Sequence, residues 1–502
     1  MDLLNYLYIG FQTCLQPANL FLAFIGCVIG TLVGVLPGLG PAAAISLLLP
    51  TSFHITPVGA MILLSGIYYG SMYGGSTTSI LVNIPGEAAS VVTCLDGYEM
   101  AKKGRAGPAL GMAAIGSFIA GTVGVVGLMV LAPPLAEMAL KFGPPEYTTL
   151  MVLGLVVVTF LVKGSMAKAL LTAAFGLFLS TVGLDAVSGV ARFSFNVTEL
   201  MDGIGMVPVV MGLFGISEVL LNLEKTFARE ILKGEIKNFL PTREDWRKSA
   251  FPIARGSLLG FFLGILPGGG AVLGSFVAYA IEKRISKYPE KFGTGVIEGV
   301  ASPEAANNSA TAGAYIPLLT LGIPSNVVMA ILLGAMMIHG ITPGPNLINE
   351  HPQVFWGVII SMYIGNAMLL VLNLPLVGLW VQVLRVPYGL LFPLILLFCL
   401  IGAYSLNFAA MDIIIMIVFG IVGYLMKKTD YEGAPLILAL VLGNLFENAL
   451  RQSLMLSDGS FGIFFTRPIA AVFLWASIIL LVIPLLPWLK KRRPAVGIET
   501  QD

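Results

Sequence analysis

Long apolar runs, each near the roughly 20 helical residues that a hydrocarbon core requires, alternate along this chain with short polar or charged connections. Four such crossings are predicted near 108–132, 147–162, 169–186 and 200–221, and a last one near 467–488. The alternating ~10-residue strands of an outer-membrane barrel are absent. The pattern predicts an all-α, polytopic membrane protein. Two runs are interrupted in the same way: Gly34–Pro41 reads GVLPGLGP and Gly264–Ala271 reads GILPGGGA. Proline removes a backbone donor and glycine permits tight turns. Each motif is therefore expected to turn a helical hairpin within the membrane.

A second correspondence follows each hairpin. Residues 69–87, YGSMYGGSTTSILVNIPGE, align with 308–326, NSATAGAYIPLLTLGIPSN, at an offset of 239, against 230 for the Pro-Gly motifs. Two discontinuous helices are predicted there, with half-helices starting at Pro85 and Pro324, since proline suits a first helical turn.

Charge sets the direction of the chain. Only 11% of the 502 residues are charged, against about 25% in soluble domains, and the net charge of +1 offers no field for nucleic acid. Residues 1–101 contain no Lys or Arg, and the first bases are Lys102, Lys103 and Arg105. By the positive-inside rule the N-terminus lies outside, and 102–107, 224–250, Lys427-Lys428 and the basic tail 490–502 are cytoplasmic. With no basic region at its start, the first apolar segment is expected to be retained rather than cleaved.

The first hairpin then starts from outside and the second from inside. This predicts two inverted-topology repeats, 1–222 and 253–489, joined by a cytoplasmic linker 223–252. The first repeat holds a hairpin at 18–50, a broken helix at 57–100 and four further spans. The second holds a hairpin at 253–282, a broken helix at 305–340 and five further spans.

Non-helical backbone at membrane depth must be buried in protein or line a wet cavity, and in inverted-repeat transporters such breaks carry the substrate and the coupling ion. The freed backbone at Gly38, Gly40, Pro85-Gly86, Gly268, Gly270 and Pro324-Ser325-Asn326, with the N–H groups of its non-proline residues, suits a carboxylate or a phosphate. Oxygens of Ser76, Thr77, Thr78, Asn83, Asn307, Asn308, Ser309 and Thr311 suit a coupling cation, Na⁺ or H⁺. Small residues such as Gly74, Gly75, Ala310, Ala312 and Gly313 also let membrane helices pack closely, and the tip glycines serve equally as turn formers. Glu87 and Glu304 lie within the membrane, where charge is costly. Each reads either as a transport residue or as a helix-start residue, Glu304 through Ser302-Pro303-Glu304. The four cysteines are scattered, which suits buried, inert thiols. No metal cluster or cofactor motif is present.

At these stretches, and at GTLVGVLPGLGPAAAISLLLP (30–50), GILPGGGAVLGSFVAYAIEKR (264–284) and FGTGVIEGVASPEAANNSATAGAYIPLLTLGIPSN (292–326), the chain resembles the large membrane subunit of the tripartite tricarboxylate transporters, the TctA family. The resemblance runs over nearly the whole chain. It implies a bacterial inner-membrane permease that imports carboxylates such as citrate on an ion gradient. It also implies two partners: a small TctB-like membrane subunit and a periplasmic, TctC-like solute-binding protein that largely sets ligand choice. Against these stand a carboxylate transporter without partners, a channel and an intramembrane protease. The last lacks support, since Asp96, Asp185 and Asp202 are dispersed and no HExxH is present.

Overall fold

The computed structural model describes residues 3–36, 40–161, 165–185, 187–224, 239–268, 270–384 and 388–483. Gly38, residues 225–238 of the linker and the basic tail therefore lie outside the described residues. The chain is an all-α, multi-pass membrane protein: among the described residues seven helices are long and apolar enough to cross a membrane.

α1 (Leu3–Cys14) precedes α2 (Pro17–Val35), α3 (Pro41–Ser52) and α4 (Pro57–Val82). After a break at 83–87 come a 3₁₀ turn, α5 (Val91–Thr93), a π turn at Cys94–Tyr98 and α6 (Glu99–Lys102). Four spans follow: α7 (Ala106–Ala139), α8 (Pro144–Leu161), α9 (Met166–Ser180) and 206–224, in which α10 (Met206–Val210) and α11 (Ser217–Glu224) flank a second π turn. A two-residue β pair, β1 (Gly183–Leu184) with β2 (Ala191–Arg192), occupies the end of the third span predicted for this half.

The second half opens with α12 (Arg243–Ile265), α13 (Gly270–Ile285) and α14 (Glu298–Leu321), and α15 (Val327–Ile338) follows a break at 322–326. The single turn α16 (Leu347–Glu350), α17 (Pro352–Asn373), the short α18 (Val377–Val383), α19 (Tyr388–Asn407), α20 (Ala410–Lys428), α21 (Ala434–Leu456), the single turn α22 (Ile463–Thr466) and α23 (Pro468–Val482) complete it. α12 starts within the predicted linker because Thr242 and Asp245 form a reciprocal capping box there.

Proline sits in the first turn of α2, α3 and α4, where its missing donor is harmless, and Thr56 caps α4 by accepting from the Gly59 amide. α2 and α4 run parallel. A Cβ at Gly26, Gly30 or Gly34 would meet the carbonyl oxygen of Leu63, Ile67 or Ser71 at 2.5, 2.5 and 2.2 Å, always 37 residues on. Both helices rise from the same level, so α3 must run back between them, as a hairpin requires. α12 and α14 repeat the arrangement: a Cβ at Gly256, Gly260 or Gly264 would meet Ser302, Ala306 or Ala310 oxygen at 2.3, 2.1 and 2.2 Å, always 46 residues on. There the return arm is fixed by Arg255 of α12, whose Nε donates to Glu282 of α13 at 2.7 Å.

The two three-helix units correspond contact by contact, at 230 for the first helix and 239 for the third. A Cβ at Gly74 would lie 2.2 Å from Thr31 oxygen, and one at Gly313 2.2 Å from Phe261 oxygen. Gly70 abuts the Cys27 carbonyl, and at the matching place Ser309 donates to the Ser257 carbonyl at 2.6 Å. Lipid offers no hydrophobic drive for helix association, so backbone approach across small residues carries the packing. Where the units meet, α4 and α14 run antiparallel: Ser76 touches Glu304, while Ser65, eleven residues back, lies beside Tyr315, eleven residues on.

At another end of the bundle, arginines are paired with acids. Arg192 reaches Glu447 at 2.8 Å, Arg451 reaches Asp185 at 2.6 Å, and Arg467 reaches Glu146 at 2.7 Å. The amides of Ser188 and Val187, together with Arg451, hold the Asp185 carboxyl well below its ordinary range. Its contribution is therefore complete above the unfolded value near 3.8 and is lost as pH falls through the lower folded value. Asp185→Asn is expected to melt on the order of a few degrees below the parent at neutral pH. The gap should close in strong acid, and thermal melts of purified protein at both pH values check it.

Candidate substrate and coupling site

Both broken helices end and restart by one device. Asn83 and Gly322 take left-handed backbone, with φ 58° and 70°, and stop α4 and α14. Glycine does so freely, and asparagine is among the few side chains that tolerate it. Five-residue breaks follow, and the next helical turn opens behind Glu87 or Asn326, both extended. Glu87 Oε2 accepts the Ala89 amide at 2.6 Å, and Asn326 Oδ1 accepts the Met329 amide at 3.0 Å. The half-helices thus begin at Ala88 and Val327, not at Pro85 and Pro324 as predicted. The prolines sit just past each stop, where they prevent the helix from continuing.

Each hairpin tip packs on the break of its own unit. Thr78 donates to the Val35 carbonyl at 2.8 Å, and a Cβ on Gly86 would stand 1.9 Å from Gly34 oxygen, so only glycine fits there. In the second unit the Gly268 amide donates to the Ser325 carbonyl at 2.7 Å. Gly268 has φ +88° and a Cβ there would strike Val158 of α8, so backbone shape and space both require glycine. Gly270 starts α13 beside the Asn326 amide, and Gly40 starts α3 with open space around its Cβ position. Ser325 donates to the Ala314 carbonyl.

The breaks are also cross-linked, reciprocally. Asn307 of α14 donates to Glu87 Oε1 at 3.2 Å, and Asn326 donates to the Tyr68 hydroxyl of α4 at 3.2 Å. Tyr68 and Asn307 are 239 residues apart, as are Glu87 and Asn326. One contact is therefore the other with the two units exchanged, as an isologous two-fold requires. Ser76–Glu304 and Ser65–Tyr315 are related in the same way.

Glu304 is fully buried. It accepts from Ser76 at 2.5 Å and from Thr93 of α5. It caps nothing, because α14 already starts at Glu298 and Pro303 lies inside that helix. The Ser-Pro-Glu reading as a helix start is thus corrected, whereas Glu87 does cap. Of the other polar residues singled out, Asn308 bonds Ser117 of α7 and the Glu304 carbonyl, and Thr311 bonds the Asn307 carbonyl. Ser309 ties α14 to α12, Thr77 is buried within α4, and Asn83 is exposed. The structure therefore gathers Ser76, Asn307, Ser325 and Asn326 about the two breaks and gives Thr78 and Ser309 to packing.

Four further residues complete the surroundings of the breaks. Tyr68 was legible as the mate of Asn307 under the 239 offset. Thr93 and Ser117 carried no local signal. Asp96, buried in the π turn, accepts from Tyr279 Oη at 2.9 Å and from the amides of Gly293, Gly295 and Val296. It ties the first unit to the chain leading into α14, and π turns recur at functional places.

A cavity of 550 Å³ lies among Phe53, Arg192, Asp202, Met206, Asn407 and Asn444. None of the predicted site residues lines it. Asn308 and Thr311 instead border a void of 20 Å³, about one water in size, beside Tyr69 and Asn366.

No solved structure matches the chain. An uncharacterized 52.8 kDa protein in the TAR-I ttuC' 3'region of Agrobacterium vitis is 51% identical over 499 residues, covering 99% of both chains. An uncharacterized protein in the TAR-II ttuC' 3'region of the same organism is 50% identical over 240 residues, 48% of this chain and 99% of that one. The sequence profile described as the tripartite tricarboxylate transporter TctA family matches residues 20–438, and the chain belongs to that family of transporter components.

Proposed function

We propose that this chain is the large permease subunit of a binding-protein-dependent importer of organic di- and tricarboxylates, coupled to a cation and working by alternating access. The observation that supports this reading best is the reciprocal contact of the two broken helices, Glu87 with Asn307 and Asn326 with Tyr68. Antiparallel units related by such contacts are what inverted-topology repeats produce, and broken helices between such repeats are where transporters hold solute and ion. On this reading the N-terminus is periplasmic, the C-terminus is cytoplasmic, and the membrane is the bacterial inner one. The partners are a small TctB-like membrane subunit and a TctC-like periplasmic binding protein.

The two tips differ in sign. At the first, the half-helix start is occupied by the chain's own carboxylate, Glu87. At the second the cap is neutral Asn326, half-buried beside Gly270. A solute carboxylate is therefore placed at the second tip, where the α15 dipole favours negative charge without a competing acid. The coupling cation is placed across the interface among Ser76, Asn307 and the two glutamates, whose charge it offsets.

Proteoliposomes carrying this chain and the small subunit test the reading, with ¹⁴C-citrate outside. Concentrative uptake is expected only with an ion gradient and with the binding protein present. Non-saturating flux that ignores both would identify a channel, and gradient-driven uptake without the binding protein would identify a transporter that needs no partner.

A further inference from the structure

Glu304 is a buried acid that neither caps a helix nor pairs with a base. It lies at the contact of the two units, at zero exposure, and its two oxygens are each met by one hydroxyl: Ser76 from before the first break and Thr93 from after it. The ionisable groups around it are another acid, Glu87 of the break, with Tyr73 of α4 and Cys94 of the π turn. From α7, the Ser117 hydroxyl is engaged by Asn308, one turn on from Glu304. Among the described residues no Lys, Arg or His forms an ion pair with Glu304. Charge stripped of water and of a counter-ion is not sustained at membrane depth, so the side chain needs a cation of its own.

The geometry points to a proton. We propose that Glu304 is the proton-carrying residue of the coupling step, an inference that rests on the coupled-transport reading above. Ser76 Oγ lies 2.5 Å from Oε2. Hydrogen bonds between oxygens reach that separation, so a proton is accommodated there without displacing either group. The step balances simply: a proton from water forms an O–H bond on one carboxylate oxygen, the neutral acid closes between Ser76 and Thr93, and the same bond releases the proton on the far side. Because Ser76 belongs to α4 and Thr93 to α5, the protonated acid clasps both sides of the first break to α14. Loss of the proton leaves both hydroxyls donating to a buried charge that no base offsets.

Glu304→Gln, which keeps the shape of the neutral acid, tests this. With the potential clamped at zero, a one-unit inward pH gradient supports about tenfold accumulation per coupled proton. The parent is expected to concentrate citrate to that degree, and Glu304→Gln only to equilibrate it, with counterflow still measurable. A variant that still concentrates citrate under the pH gradient, or a parent driven by Na⁺ alone, overturns the proposal.

Melts in detergent decide the point without any substrate. A proton held only by the folded chain makes stability fall as pH rises. The parent's Tm should drop as pH rises from about 4.5, the ordinary glutamate value, to neutrality, and that of Glu304→Gln should drop less. Equal slopes overturn the proton site even if citrate proves not to be carried, whereas failed citrate uptake with unequal slopes faults only the transport reading.

Discussion

Alanine at Gly260 is expected to destabilise the protein by on the order of 3 kcal/mol or more, enough to lower its melting temperature markedly or to prevent recovery of a monodisperse species. The added carbon would stand 2.1 Å from the Ala306 oxygen and 2.6 Å from the Ala306 carbonyl carbon and Cα. All three are backbone atoms of α14, so no side chain can rotate to make room. Relief requires α12 to move away from α14, and Gly256 and Gly264 hold the same seam one turn to either side. Gly274, on the return arm, gives the contrast. Its Cβ would meet Ala306 oxygen and Gly260 Cα at 3.5 Å, an ordinary contact. There Gly274→Ala should be neutral or gain roughly 0.5–1 kcal/mol from the helix itself. Opposite signs at two glycines so close together would be hard to obtain without the parallel seam; equal melting temperatures would refute it.

Asn326→Asp is expected to weaken apparent affinity for a carboxylate substrate at least tenfold, about 1.4 kcal/mol, while leaving the fold intact. Aspartate caps a helix as well as asparagine does, so the Met329 amide keeps its acceptor. What changes is the sign of the cap, and the Tyr68 hydroxyl, which accepts from the Asn326 amide, turns to donate to the new carboxylate. Two like charges about 4 Å apart repel by ~4 kcal/mol at an effective dielectric constant near 20, and a solute seated at the α15 terminus would meet that repulsion in full. Asn326→Ser keeps a neutral cap and should lose less. Concentration dependence of citrate uptake, with melting curves alongside, checks both. An Asn326→Asp protein with unaltered half-saturation would move the solute away from the second tip.

The paired helix breaks could be read from the chain because their signals are local. Proline and glycine at 37–38 and 267–268, and Ile-Pro at 84–85 and 323–324, mark breaks whatever surrounds them. The offsets of 230 and 239 then pair helices correctly down to single carbonyls, as Gly74 with Thr31 and Gly313 with Phe261 show. The half-helices start three residues beyond the prolines because Asn83 and Gly322 stop the preceding helices and Glu87 and Asn326 cap the next turns, signals weaker in sequence than proline itself. The partner of Glu304 was out of reach. Ser76 is separated from it by 228 residues and Thr93 by 211, and neither lies in a pattern that names an acceptor. Glycine was the most ambiguous letter. Gly86 and Gly268 are consumed by packing and backbone shape, whereas Gly40 faces open space, and only three dimensions separate them.

The nine residues by which 46 exceeds 37 lengthen the second return path, and the surplus is not idle. It supplies the amides of Gly293, Gly295 and Val296 that Asp96 grips, while the first return path passes from Ser52 to Pro57 through four residues. Asp96 thereby ties the flank of the first break to the segment that enters α14, a bond for which the shorter first return path has no counterpart segment.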